Sequence, residues 1–243
     1  MAATTAPMVV VASIFSALLF LQGAETTTFY VKNNCPYPVW PATLGSPPLP
    51  GTGFLLNPGG SASVAAPPKW SGRLWGRAQC SISGGSFSCA SGDCGTGQVE
   101  CHGAGGVPPA TLVEFTLGGY GGNDFYDVSN VDGFNLPVGV RAKGGSGRCG
   151  NPSCPADINA RCPEQLQVKG VDGRVVACKS ACLAFNTDAY CCRGSYGTPD
   201  ACPPSEYSKM FKSACPKAYS YAYDDASSTF TCAGADYHIT FCP

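Results

Sequence analysis

Apolar and polar residues alternate most cleanly between Thr111 and Leu117, where Val113, Phe115 and Leu117 fall on one side and Leu112, Glu114 and Thr116 on the other. A period of two belongs to a β-strand, whose successive side chains point to opposite faces. The pattern predicts a strand over 111–117 that projects Glu114 away from the apolar side. Thr27 to Lys32 and Phe125 to Val131 read as strands too, and Asp132-Gly133 gives a turn signal after the second. Arg73 to Ala78 is a further strand, with Leu74 and Gly76 on one face and Arg73, Trp75 and Arg77 on the other. Trp40 to Gly60 is rich in Pro and Gly and predicts loops and short strands, and Phe230 to Phe241 is again strand-like. One stretch has a helical period. Tyr207, Met210, Phe211 and Ala214 recur at i, i+3, i+4 and i+7, Ser205 can cap them, and Pro216 ends them.

The apolar run Met8 to Leu21 has no partner in this scheme. The first 24 residues carry no charged side chain, and the run ends in Gln22-Gly23-Ala24. It is shorter than the roughly 20 residues of a membrane span. It fits the apolar region of a signal peptide, with cleavage expected near Ala24, although no Lys or Arg precedes it. The alternative is a buried or membrane helix. No later apolar run is long enough to span a bilayer, so no membrane insertion is expected.

All 16 cysteines follow that segment. An even number of cysteines in an exported chain predicts a disulfide framework. A zinc site is disfavoured because the sequence has no C-x-x-C pair and its two histidines are His102 and His238. The same two histidines would have to serve any Ser/His/Asp hydrolase. His102 sits beside Cys101 and His238 on the last strand, so both read as structural. Cys191 and Cys192 are adjacent, and about 3.8 Å between neighbouring Cα atoms is too close for an unstrained bridge between them. Each is expected to pair elsewhere. Residues 149–215 hold nine of the cysteines together with the helix, which marks a lobe dependent on its bridges. Charged residues make up 13% of the chain and the net charge is −1, so nothing suggests a nucleic-acid partner and none is expected. There is no acceptor Asn-x-Ser/Thr, because Pro152 blocks Asn151-Pro-Ser, so N-glycosylation is not expected.

The run Gly85-Ser-Phe-Ser-Cys-Ala-Ser-Gly-Asp-Cys-Gly-Thr-Gly-Gln-Val-Glu-Cys101 resembles the signature of thaumatin-like proteins, the plant pathogenesis-related family 5. Ser91 stands where that family usually has Thr. Asn33-Asn-Cys-Pro-Tyr-Pro-Val-Trp40, Gly72-Arg-Leu-Trp-Gly-Arg77, Thr111-Leu-Val-Glu-Phe115, Asp124 to Asn135, Tyr190-Cys-Cys192 and Ala218 to Asp225 extend the resemblance over the mature chain, residues 25–243. It implies a mainly β fold, a flattened β-sandwich with two smaller disulfide-rich lobes at about 149–215 and about 79–103. It also implies the pairing Cys35–Cys242, Cys80–Cys89, Cys94–Cys101, Cys149–Cys232, Cys154–Cys215, Cys162–Cys178, Cys182–Cys191 and Cys192–Cys202.

The same resemblance implies a cleft marked by Arg73, Glu114, Asp127, Asp132 and Asp224. Four carboxylates on one cleft repel each other, a cost that Arg73 offsets in part and that points to use as a site. Carboxylates accept hydrogen bonds from sugar hydroxyls, and Tyr126, Phe134 and Tyr223 beside the acids are expected to offer stacking faces. The structural alternative is that Asp132 holds a turn, that Asp224 and Asp225 cap loops, and that Arg73 is an ion-pair partner. The function implied is that of a secreted antifungal defence protein binding β-1,3-glucan or another fungal wall polysaccharide, as a monomer without cofactor or metal. Weak endo-β-1,3-glucanase activity is the enzymatic alternative, with Glu114 as acid and Asp132, then Asp127, as partner. Inhibition of a protease or α-amylase, or engagement of a membrane or receptor, is the third. Sweet-tasting members are unusually basic, which this chain is not. Vacuolar relatives tend to carry a C-terminal extension, and the sequence stops at Cys242-Pro243, so the extracellular space is expected.

Overall fold

The period-two segments form strands and pair with one another in a computed structural model that describes residues 26–243. The predicted signal peptide, residues 1–24, lies outside the described residues. In chain order the strands are β1 (Thr27–Asn33), β2 (Val39–Ser46), β3 (Ser61–Ala66), β4 (Ser71–Ser83), β5 (Ser86–Ser91), β6 (Leu112–Thr116), β7 (Asp124–Ser129), β8 (Val138–Ser146), β9 (Ser153–Cys154), β10 (Gln167–Lys169), β11 (Val175–Cys178) and β12 (Phe230–Phe241). The helices are α1 (Ala181–Phe185), α2 (Asp188–Cys191), α3 (Glu206–Ala214) and α4 (Asp225–Ser228). The fold is mainly β. The predicted helix is α3, and the Ser205 side chain caps it by accepting the Ser208 amide at 3.1 Å.

Two β layers enclose the core. One runs β2-β4-β6-β7, with β5 on β4; the other runs β3-β1-β12-β8. β12 belongs to both. Phe230–Cys232 pair with β7, and from Ala233 onward the strand pairs with β8 and then also with β1. Gly234 turns the strand between the layers with φ +64°, a conformation that side chains rarely adopt. Phe29, Val31, Tyr237 and Ile239 point inward from one layer and Leu74, Val113, Phe115 and Val128 from the other. At the centre the rings of Phe29 and Phe115 lie 4.6 Å apart, and Phe115 and Tyr237 meet edge-on at 4.9 Å. Every one of these residues is flanked by neighbours on the opposite face, as a period of two requires.

β4 departs from simple alternation. Its outward Trp75 is buried too, in a second cluster with Ala42, Ala110, Leu112, Cys94 and Cys101. The loop after β5 covers it, and the Trp75 indole N–H donates to the Gly92 carbonyl at 2.8 Å. Arg77, fully buried beside it, donates to the Trp40 and Val99 carbonyls at 3.0 and 2.7 Å. An arginine that looked like a polar face is thus a brace between a strand and a cysteine-rich loop.

Eight disulfides are present, Cys35–Cys242, Cys80–Cys89, Cys94–Cys101, Cys149–Cys232, Cys154–Cys215, Cys162–Cys178, Cys182–Cys191 and Cys192–Cys202, which is the pairing the resemblance implies. Cys191 and Cys192 thereby tie two different segments to one point. Residues 149–215 carry α1 to α3, but their apolar interior is continuous with the sandwich. Ile158, Leu166 and Phe211 belong to the same buried cluster as Phe134 and Leu136. This stretch therefore rests on shared packing as well as on its bridges.

Candidate functional site

Register places three of the five expected residues in one row. Arg73 on β4 is directly opposite Glu114 on β6, and Glu114 is directly opposite Asp127 on β7. Their neighbours Leu74, Val113, Phe115, Tyr126 and Val128 are buried in the core, so all three side chains project from the outer face. Directly opposed residues on paired strands lie about 4.5–5.5 Å apart. The row forms part of the wall of an open groove of about 530 Å³, lined also by Leu44, Phe125 and Thr116. Gly105 leaves room at the cationic end: a Cβ there would stand 3.2 Å from the Arg73 guanidinium. Among the described residues no acid comes within ion-pair distance of Arg73, and its charge acts on Glu114 through space.

The acids differ in their surroundings. Asp127 has one carboxyl oxygen, Oδ1, buried and without a hydrogen-bond partner. Burial, then the charges of Glu114 and Asp225, push its carboxyl up to about 8. Asp127 therefore holds a proton at neutral pH. Burial also raises Glu114; the Arg73 guanidinium draws it back and Asp132 pushes it up again. Asp132 enters from the turn that follows β7, where the Gly133 amide donates to the Asn130 carbonyl at 2.9 Å. It acts on Glu114 by charge and does not line the groove.

Asp224 is employed elsewhere. Its carboxylate pairs with the Lys212 ammonium at 2.9 Å and accepts the Ser220 amide and hydroxyl at 3.0 and 2.9 Å. The exposed neighbour Asp225 is the one whose charge reaches Asp127. It accepts the Tyr219 hydroxyl at 2.7 Å, and that hydroxyl also contacts the Thr229 hydroxyl. Tyr219 lies alongside β7, bridged to Ser129, which brings the Asp225 pair to the end of the row.

Two expected stacking faces are corrected. Tyr126 is buried in the core with its hydroxyl donating to the Gly150 carbonyl at 2.6 Å, and Phe134 is fully buried. Neither meets the groove. The reason is alternation: Tyr126 adjoins Asp127 on one strand and must point the other way. Phe125, two residues before Asp127, shares its face and is the aromatic ring in the groove wall. Sequence reasoning missed it, although the period of two marks it. Tyr223 is half-buried beside Asp224 and does not line the groove. His102 bonds Gln98 within its loop, and the His238 ring stacks on Tyr30.

The sequence profile of the Thaumatin family matches residues 33–243. The chain belongs to the thaumatin family. Similar relatives include "Pathogenesis-related protein 5" of Arabidopsis thaliana, 56% identical over 220 residues that cover 89% of this chain and 90% of the relative. A protein of Prunus avium named "Glucan endo-1,3-beta-glucosidase" is 54% identical over 241 residues, covering 97% of this chain and 98% of the relative. Among solved structures, a GH family 64 laminaripentaose-producing β-1,3-glucanase from Paenibacillus barengoltzii, complexed with laminarihexaose, overlaps at a TM-score of 0.59. That overlap covers 94% of this chain and 78% of the glucanase at 14% identity, which is a likeness of fold. Membership of this pathogenesis-related family supports a role in plant defence, and the many disulfides fit a secreted thaumatin-like protein.

Proposed function

We propose that the chain acts outside the cell as a monomeric antifungal protein, binding β-1,3-glucan of the fungal wall in the groove along Arg73, Glu114 and Asp127. The observation that carries this reading is the row itself. It sets a guanidinium and two carboxyl groups side by side, with the unpartnered Asp127 Oδ1 offering an acceptor to a sugar hydroxyl. Phe125 supplies an apolar wall for a sugar ring. The glucanase name of the Prunus avium relative supports the ligand class. Asp132 tunes the row from the adjoining turn, and Asp224 holds the loop that delivers Asp225. Sedimentation with insoluble β-1,3-glucan tests it: wild type is pulled down, and Glu114→Ala with Asp132→Ala stays in solution. Equal sedimentation of the two would end the proposal. A fluorescent fusion is expected in the extracellular space, and retention in the vacuole would refute that part.

One observation favours a second reading, weak endo-β-1,3-glucanase activity. Glu114 and Asp127 stand directly opposed on paired strands, and retaining glycosidases use two neighbouring carboxyls, about 5–5.5 Å apart. In that reading Asp127 is the general acid, because it keeps its proton, and Glu114 beside Arg73 is the nucleophile. This exchanges the roles expected from sequence. Reducing ends released from laminarin by wild type and lost in both Asp127→Asn and Glu114→Gln would support it; release that persists in either would refute it.

A further inference from the structure

The layer β3-β1-β12-β8 turns its outer face away from the acidic groove, with the whole core between them. Register fixes what that face displays. Tyr30, His238 and Arg141 form one row with Ser63, because Tyr30 opposes Ser63 and His238, and His238 opposes Arg141. The next row along holds Lys32, Ser61 and Thr240, and the row on the other side holds Asp236 and Lys143. The phenol of Tyr30 and the imidazole of His238 stack on each other at 4.9 Å and 21° at the centre. The Lys143 ammonium stands over the Tyr30 ring at 4.7 Å. Lys32, Arg141, Lys143 and His238 are all exposed. None of the three permanent cations forms an ion pair among the described residues. The acid on the face, Asp236, has one oxygen occupied by the Thr28 amide at 2.7 Å. Beyond Lys143 the face runs into a groove of about 810 Å³ whose walls include Lys69.

We propose that this face binds a polyanionic polysaccharide of the polyuronate class, whose chain carries a carboxylate on each sugar ring. Three cations without ion-pair partners surround the stacked Tyr30–His238 pair, with Lys143 held over the Tyr30 ring, and a repeating carboxylate chain complements that arrangement in charge. The neutral hydroxyl of Thr240 lies between Lys32 and the cations of β8, those of Ser61 and Ser63 lie on the edge strand beyond Lys32, and all three match sugar hydroxyls. Anionic lipid is the poorer fit, since the face carries no large aliphatic side chain to insert and is a sheet without an amphipathic helix. The site is separate from the β-1,3-glucan groove and stands whether or not that groove binds glucan.

Immobilised polygalacturonate at low ionic strength is the probe. Wild type is expected to be retained, and to be released as salt shortens the Debye length from about 10 Å at 0.1 M to about 3 Å at 1 M. The variant Lys32→Gln/Arg141→Gln/Lys143→Gln, which alters exposed side chains alone, is expected to bind about tenfold more weakly, the combined loss of three exposed charge contacts. Tyr30→Ala is expected to weaken binding by about fivefold with the cations present, because the ring that holds the Lys143 ammonium in place is lost. Glu114→Gln should bind polygalacturonate like wild type, and the triple variant should bind insoluble β-1,3-glucan like wild type. Those two controls separate failure of this site from failure of the groove. No retention of wild type, or equal retention of the triple variant, would overturn the proposal. So would charge-dependent binding to phosphatidylserine vesicles without retention on polygalacturonate.

Discussion

Replacing Asp127 with asparagine keeps the shape of the side chain and removes its titration. In the folded protein this carboxyl is pushed up to about 8 from an ordinary value of 3.8. The unfolded chain releases the proton near the ordinary value, while the folded chain keeps it. The folded state therefore binds more protons between those limits, and stability falls as pH rises. The group's contribution is most favourable below about pH 4, declines through neutrality and levels off above about pH 8. Each pH unit in the window is worth at most about 1.4 kcal/mol, so the span from pH 4 to 7 has a ceiling of about 4 kcal/mol. The groove is open to water and screens part of this, leaving about 2–4 kcal/mol. The assay is guanidinium unfolding with the bridges intact at pH 4, 5.5 and 7, for wild type and Asp127→Asn. The variant should lose about 2–4 kcal/mol less than wild type across that range. Parallel pH profiles for the two proteins would show that Asp127 ionises normally, and the description of the row as one acid beside one carboxylate would be wrong.

Asp225→Asn should lower the Asp127 titration midpoint, read by carboxyl NMR, and leave stability nearly unchanged because Asp225 is exposed. Asp224→Asn should do the reverse, costing about 1–3 kcal/mol in chemical unfolding by weakening the Lys212 contact while leaving the Asp127 midpoint in place. Arg77→Lys cannot reach both the Trp40 and Val99 carbonyls and should cost about 2–3 kcal/mol, measured the same way. In Gly72→Ala the new methyl meets the Leu44 carbonyl oxygen and the Trp70 ring, so a loss of about 1–3 kcal/mol and weaker glucan sedimentation are expected together.

Local periodicity went far here and stopped at an identifiable place. It put Glu114 outward on its strand, and it separated Val113 and Phe115 from the solvent side, because one strand's alternation needs no knowledge of its partners. It did not show that Arg73, Glu114 and Asp127 share a row. That depends on the register of three strands, two of them consecutive and the third set apart by the cysteine-rich loop, and a shift of one residue would have sent Glu114 to the other face. Trp75 read as outward, and it is; its burial comes from the loop between Gly92 and Gly106, whose path the bridge Cys94–Cys101 sets. Tyr126 was misjudged for a different reason. Its proximity to Asp127 in sequence suggested proximity in space, whereas adjacent residues on a strand are the two that cannot share a face. Asp224 and Asp225 are the reverse case. Side by side in sequence, they were divided between a structural ion pair and the site by a loop whose conformation no period describes.

β12 has a consequence for how the protein is made. It is the strand that both layers share, lying between β7, β8 and β1, and it is the last of the strands along the chain. A ribosome delivers the chain from its amino end, so β1 emerges with no parallel neighbour and waits for some two hundred residues more, the separation at which Cys35 finds Cys242. Until Phe230–Phe241 arrives, the second layer lacks the strand between β1 and β8, and the first lacks its link to the second beyond β7. The sandwich must then assemble after synthesis rather than during it, and long-range pairing of this kind is slow. A nascent chain held open that long is well suited to being threaded across a membrane first and oxidised afterwards, and poorly suited to folding on the wrong side.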